Sequence, residues 1–124
     1  MITVRADNID LIETPGGNYG AAVATPSRGA TETSVIRQRQ LPGGANPPHT
    51  HDHEEVMTVL SGALTVVAAE PITLSRGDTV IIPAGQSHHI ENRGDEPAEW
   101  LLIAPAGTRF FNSSGEEGSP LWAK

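Results

Sequence analysis

Residues 43–62 read Gly43-Gly44-Ala45-Asn46-Pro47-Pro48-His49-Thr50-His51-Asp52-His53-Glu54-Glu55-Val56-Met57-Thr58-Val59-Leu60-Ser61-Gly62. Three of the chain's five histidines lie in this stretch and the other two, His88 and His89, are adjacent. Two tight clusters of imidazole beside carboxylates are what a divalent transition-metal site needs, because the neutral ring nitrogen is a good donor near neutral pH. On a straight strand His49 and His51 share a face, about 6.6 Å apart along the backbone, and could chelate one ion. Glu55 would then lie roughly 20 Å beyond His49, far outside the reach of metal bonds of about 2.1 Å. The chain must bend over Asp52-His53-Glu54 if a carboxylate is to join, and the apolar run from Val56 restarts a strand after it. The bend breaks face parity, so parity does not choose between Glu54 and Glu55.

The second cluster follows Pro83-Ala84-Gly85-Gln86-Ser87, a turn leading into a strand, so His88 and His89 point to opposite faces. His88 shares its face with the apolar Ile90, which favours His88 as the inward residue.

Outward from these clusters, apolar segments are short, β-branched and bounded by Gly, Pro, Asn or Asp, with no sustained helical spacing. Strands are expected near 9–13, 19–24, 33–41, 55–60, 63–68, 72–75, 79–82, 88–91 and 98–103. Ser61-Gly62 and the stretch 91–97 read as hairpin connections, and 41–48 as irregular. The chain is therefore expected to be all-β, a sandwich or barrel. Beyond Pro105 an irregular tail, 105–124, carries Phe110, Phe111, Leu121 and Trp122; it either folds back to cover the barrel mouth or meets a partner chain, and partner contact is the expected role. Tyr19 reads as core, and Trp100 with Leu101, Leu102 and Ile103 as barrel wall.

With 124 residues the chain is expected to form one domain. Thirteen glycines and ten prolines suit a turn-rich fold, while 37% apolar residues argue against global disorder. The absence of cysteine excludes a disulfide scaffold, a thiolate metal site and a cysteine nucleophile. A net charge of −7, with one lysine, argues against a nucleic-acid partner. No segment reads as a membrane span or export signal, so a cytoplasmic location is expected. The triplets Arg76-Gly77-Asp78 and Arg93-Gly94-Asp95 read as turn chemistry.

Two spacings now stand out. Gly43-x5-His49-x-His51-x3-Glu55-x6-Gly62 and Gly77-x5-Pro83-x-Gly85-x2-His88-x3-Asn92, separated by 14 residues, resemble the two signatures of the cupin superfamily at every fixed position. The short separation is similar to that of small single-domain bacterial cupins. The resemblance implies a double-stranded β-helix, or jelly-roll barrel, with its core at about 33–104, N-terminal strands over 1–32 and the tail over 105–124. It implies one divalent metal, Fe, Mn, Ni or Zn, held by His49, His51, Glu55 and His88, and so selects Glu55 over Glu54. It implies a small-molecule substrate and a homodimer.

The expected function is a metal-dependent, dioxygenase-like enzyme acting on a small oxygen-rich molecule. A metal-dependent isomerase, lyase or polyketide-type cyclase, and a non-catalytic binding barrel, are the alternatives. No catalytic base is evident beyond His53 and Glu54, both more readily placed at the surface. Arg37 and Arg39 share one face of a strand and Gln38 and Gln40 the other; one pair is expected to face the interior as a substrate-binding group.

Overall fold

The computed structural model describes residues 1–120 and 123–124. Leu121 and Trp122 of the expected tail cluster lie outside the described residues. Among the described residues eleven strands follow in order: β1 (Ile12–Thr14), β2 (Asn18–Ala24), β3 (Thr33–Gln40), β4 (His49–His51), β5 (Glu55–Ser61), β6 (Ala63–Val67), β7 (Pro71–Ser75), β8 (Thr79–Ile82), β9 (His89–Glu91), β10 (Ala98–Pro105) and β11 (Phe110–Asn112). Short 3-10 turns at Ala6–Asn8 and Pro26–Arg28 complete the described elements. No described helix is long and apolar enough to cross a membrane.

One sheet has the order β1-β2-β3-β10-β5-β8; the opposing layer is formed by β7-β6-β9 and β11-β4. A bridge between His49 and His88 ties β4 to the approach to β9, so the two smaller sheets continue one another. This is the all-β double-stranded β-helix, in which chain segments alternate between facing sheets. Side chains alternate inward and outward along each strand, and the inward set closes the core: Ile36, Met57, Val59, Leu64, Val66, Ile82, Ile90, Trp100 and Leu102.

The connections at Ser61-Gly62 and 91–97 are not hairpins as expected. β5 pairs with β10 and β8, while β6 pairs with β7 and β9, so each connection carries the chain from one sheet to the other. Gly62 makes the crossing at φ +70°, with its Cα backed so closely onto Pro97 that a Cβ would stand 2.3 Å from the Pro97 carbonyl oxygen. Arg76-Gly77-Asp78 makes another crossing, from β7 to β8, closed by Asp78 Oδ2 accepting from the Ser75 amide at 2.9 Å. The first strand begins at Ile12 rather than near residue 9, because Ala6–Asn8 forms a 3-10 turn.

The tail departs from the irregular expectation. β11 pairs antiparallel with β4, matching Phe110 to His51 and Asn112 to His49. The three-residue β4 has an otherwise open edge, and the returning chain supplies its ladder. Asp52 fixes the approach: its Oδ1 accepts from the Arg109 amide at 2.8 Å and its own amide donates to the Arg109 carbonyl at 3.2 Å. Phe110 therefore packs within its own chain, against the core.

Candidate metal centre

The bend required by the spacing is present. β4 ends at His51, 52–54 is irregular, and β5 begins at Glu55 in the opposite sheet. Glu55 points inward beside Ile82, its register partner on β8. His88 enters from the facing layer, 2% exposed, while His89 turns outward and bonds Glu91 at 2.9 Å. The shared face of His88 and Ile90 thus turns inward.

The imidazoles converge. The nearest donor atoms of His49, His51 and His88 all lie within 4.8 Å of one another, close to the span that two metal bonds of about 2.1 Å can bridge. His51 Nδ1 and His88 Nε2 stand 2.9 Å from the two oxygens of Glu55, which is 1% exposed. These approaches lack hydrogen-bond angles: His51 Nδ1 and Nε2, His88 Nε2 and Glu55 Oε2 are buried without a hydrogen-bond partner. Four orphaned polar atoms in one buried cluster would be costly on their own, and a divalent cation satisfies such a set. The residues present therefore fit a metal.

Two of the rings are oriented in the same way. His49 Nδ1 donates to the Pro47 carbonyl and His88 Nδ1 to the Gln86 carbonyl, each at 2.8 Å and each two residues upstream. Committing Nδ1–H to the backbone leaves Nε2 as the free donor of both rings. On His51, Phe110 packs edge to face at a centroid distance of 4.4 Å.

The electrostatics divide the cluster. Burial lowers the pKa of His49 to about 4, helped by the neighbouring His88 and His51 and only partly opposed by the Pro47 hydrogen bond. His88 is likewise penalised by burial, but Glu55 and the Gln86 carbonyl outweigh this and raise it. Burial would raise Glu55; the close approach of His51 and His88 reverses that and holds it below the usual carboxylate value. Glu55 is thus held as an anion and His49 as a neutral donor, the states a metal requires.

A cavity of about 400 Å³ opens beside the cluster, and of the four residues it is His49 that lines it. Gln38 and Arg39 line it too, with Trp100, Tyr19, Phe110 and Phe111. The Gln pair is the one turned inward: Gln38 Oε1 accepts from Trp100 Nε1 at 2.8 Å, and the fully buried Gln40 donates to Asn18 Oδ1 and the Ile90 carbonyl. Arg37 pairs with Glu99, its neighbour on the outward side of β10, and Arg39 lies 3.9 Å from the same carboxylate. His53 is exposed and bonded to Asp52, Glu54 is exposed, and neither lines the cavity. Tyr19 lies in the cavity wall rather than the core expected for it. The sequence reading also missed the part of Phe110 in supporting His51. Its signal was faint: an aromatic pair in a tail of glycine, serine and acids.

A family model described as the cupin domain matches residues 36–104. Germin-like protein 5-1 of Oryza sativa subsp. japonica is 39% identical over 93 residues, 64% of this chain and 42% of that protein. Gentisate 1,2-dioxygenase of Ralstonia sp. is 38% identical over 68 residues, 53% of this chain and 19% of that protein. The chain thus spans well under half the length of these curated relatives. Among solved structures, the polyketide cyclase RemF of Streptomyces resistomycificus superposes with a TM-score of 0.80 at 21% identity, over 91% of this chain and 85% of its own.

Proposed function

Because the chain belongs to the cupin family, with the family match covering residues 36–104, we propose that it is a mononuclear divalent-metal enzyme, dioxygenase-like, acting on a small molecule at the barrel mouth. The metal, Fe, Mn, Ni or Zn, is held by His49, His51, Glu55 and His88. The observation that carries this reading is the buried cluster of imidazole and carboxylate atoms without hydrogen-bond partners. When bound, the metal supplies Lewis acidity or redox chemistry and open coordination positions, on a centre whose net charge with one carboxylate is about +1.

The chain's own residues supply the rest. Pro47 and Gln86 carbonyls fix the tautomers of His49 and His88, Phe110 braces His51, and Glu55 balances charge. The substrate enters beside His49, and Gln38, locked by Trp100, shapes the wall. Besides His49, its polar groups are the amides of Asn18, Gln38, Asn46 and Asn112, the Arg39 guanidinium and the hydroxyls of Thr14 and Tyr19, which can orient a ligand. Oxygen chemistry at a bound metal would ask of such a wall mainly that it position the substrate. The dioxygenase name of the Ralstonia relative points the same way.

The test is O₂ uptake by Fe(II)-reconstituted protein offered a panel of dihydroxylated aromatic acids and β-diketones, with products followed by mass spectrometry. Uptake with an oxygenated product supports the proposal. Conversion without uptake moves the chain to isomerase, lyase or cyclase chemistry, and binding without product to a non-catalytic barrel. The molecule is further proposed to act as a homodimer in the cytoplasm. The apolar row Val35, Ile103, Val56 and Ile81, aligned by register across the outer face of the larger sheet, supports the dimer.

A further inference from the structure

The chain contains five aromatic residues, two Trp, one Tyr and two Phe. Four of them, Trp100, Tyr19, Phe110 and Phe111, line the cavity beside His49. They come from three strands, β2, β10 and β11, which the fold brings together. Trp100 is 1% exposed and turns its indole N–H to Gln38, so it backs the wall from within the core. Phe111 has Arg109 over its ring at 5.2 Å, and Phe110 meets His51 edge-on.

The amide oxygens of the wall are already committed to the fold, Gln38 Oε1 to the Trp100 indole among them. Asn46 Oδ1 accepts from the Ile90 amide at 2.7 Å. Asn18 Nδ2 donates to the Pro15 and Ala45 carbonyls, while Asn18 Oδ1 accepts from Gln40. Asn112 Oδ1 accepts from the Ser114 and Glu116 amides. The lining charge, Arg39, has Glu99 3.9 Å away. A molecule the size of a sugar acid or small dicarboxylate leaves much of the roughly 400 Å³ unfilled. A flat ring system meets this wall on its own terms, by stacking and apolar burial.

We infer that the ligand of this cavity is a planar aromatic molecule of two or more fused rings carrying neighbouring oxygen donors, which rests on the metal-site reading above. The oxygens face His49, and the rings extend along the aromatic wall.

The test compares two chelators with the same keto-enol oxygen pair, 1-hydroxy-2-acetonaphthone and acetylacetone, by isothermal titration of Ni(II)-loaded and metal-free protein. The naphthyl compound should bind at one site at least about tenfold more tightly, since aromatic contacts of this kind amount to about that factor. Phe111→Ser and Tyr19→Ser should each shrink that advantage while leaving acetylacetone unchanged. Equal affinity for the two compounds, or an advantage untouched by both substitutions, overturns the inference. If the ring advantage is present but neither compound distinguishes loaded from metal-free protein, the metal reading fails and the aromatic ligand stands. If both compounds need the metal but the ring adds nothing, the metal reading stands and this inference fails.

Discussion

Glu55 Oε1 lies 2.9 Å from His88 Nε2, although β5 carries Glu55 in the larger sheet and His88 lies at the approach to β9 in the facing layer. The contact spans the barrel interior and joins the two halves of the fold at the site. Glu55 reaches it because 52–54 turns the chain between sheets, and His88 because the Gln86 carbonyl pins its ring. A cation held by both would convert a buried ionisable cluster into a cross-link, and folding and metal binding would then be coupled.

Acid should weaken the metal-free protein through His49. Its pKa, about 4, is below the ordinary 6.5, so the unfolded chain binds the proton first and stability falls as pH drops from 6.5 toward 4. The effect is up to about 3 kcal/mol. Of the groups facing His49, raised His88 contributes stability in full below 6.5 and loses it only as pH rises through its raised value. Lowered Glu55 contributes in full above 4.5 and loses it only as pH falls through its lowered value. Between pH 4.5 and 6.5 the slope from these three shifted groups therefore belongs to His49. Thermal melts of metal-free protein should show Tm falling across this window, and His49→Gln should flatten the curve; an unchanged slope in the variant contradicts the assignment.

Asn92→Ala should cost about 2–3 kcal/mol. Asn92 is 2% exposed; its Nδ2 donates to the Gln40 and Glu96 carbonyls and its Oδ1 accepts from the Gly94 amide. Truncation leaves the Gln40 carbonyl, at the end of β3, without this donor. Urea unfolding at constant m-value measures the loss, and a loss below about 0.5 kcal/mol would show that the loop over 92–97 repacks around the change.

Gly62→Ala and Gly77→Ala separate strain from crowding. Both glycines have positive φ, but a Cβ at Gly77 meets nothing within 4 Å, whereas at Gly62 it stands 2.3 Å from the Pro97 oxygen. Gly77→Ala should cost about 1 kcal/mol, and Gly62→Ala several-fold more or prevent folding. Equal melting shifts would show that the backbones at Gly62 and Pro97 separate freely.

Ile81→Asp should convert a dimer to monomer. Ile81 is 62% exposed at the end of the row through Val56, Ile103 and Val35, and a buried unpaired carboxylate there is unfavourable. Light scattering should give one chain's mass for the variant and two for the parent. Two chains for both would exclude this face as the interface.

Much of this was legible in the sequence. The bend after His51, the inward His88, the outward His89 and most strands follow from period-two alternation and turn residues, which are local properties. Strand pairing was less legible, because Ser61-Gly62 has the same turn chemistry whether it closes a hairpin or passes between sheets; only the partners of β5 and β6 decide. The tail strand was hidden for a similar reason, since β11 is three residues long and draws its order from the edge of β4 and from Asp52. Face parity divided 37–40 correctly into two pairs but could not say which pair turns inward. Trp100, by donating its indole N–H to Gln38 on the neighbouring strand, marks the inward face.

The most direct test of the metal centre is elemental analysis of protein reconstituted in turn with Fe(II), Mn(II), Ni(II) and Zn(II), then freed of unbound ion. The parent should hold about one equivalent of at least one ion, as should His53→Ala, whose side chain lies outside the cluster. His51→Ala and the Glu55→Ala/His88→Ala double variant should hold almost none while remaining folded by circular dichroism. No retained metal in the parent with any of the four ions, or equal retention in parent and folded ligand variants, would contradict the account.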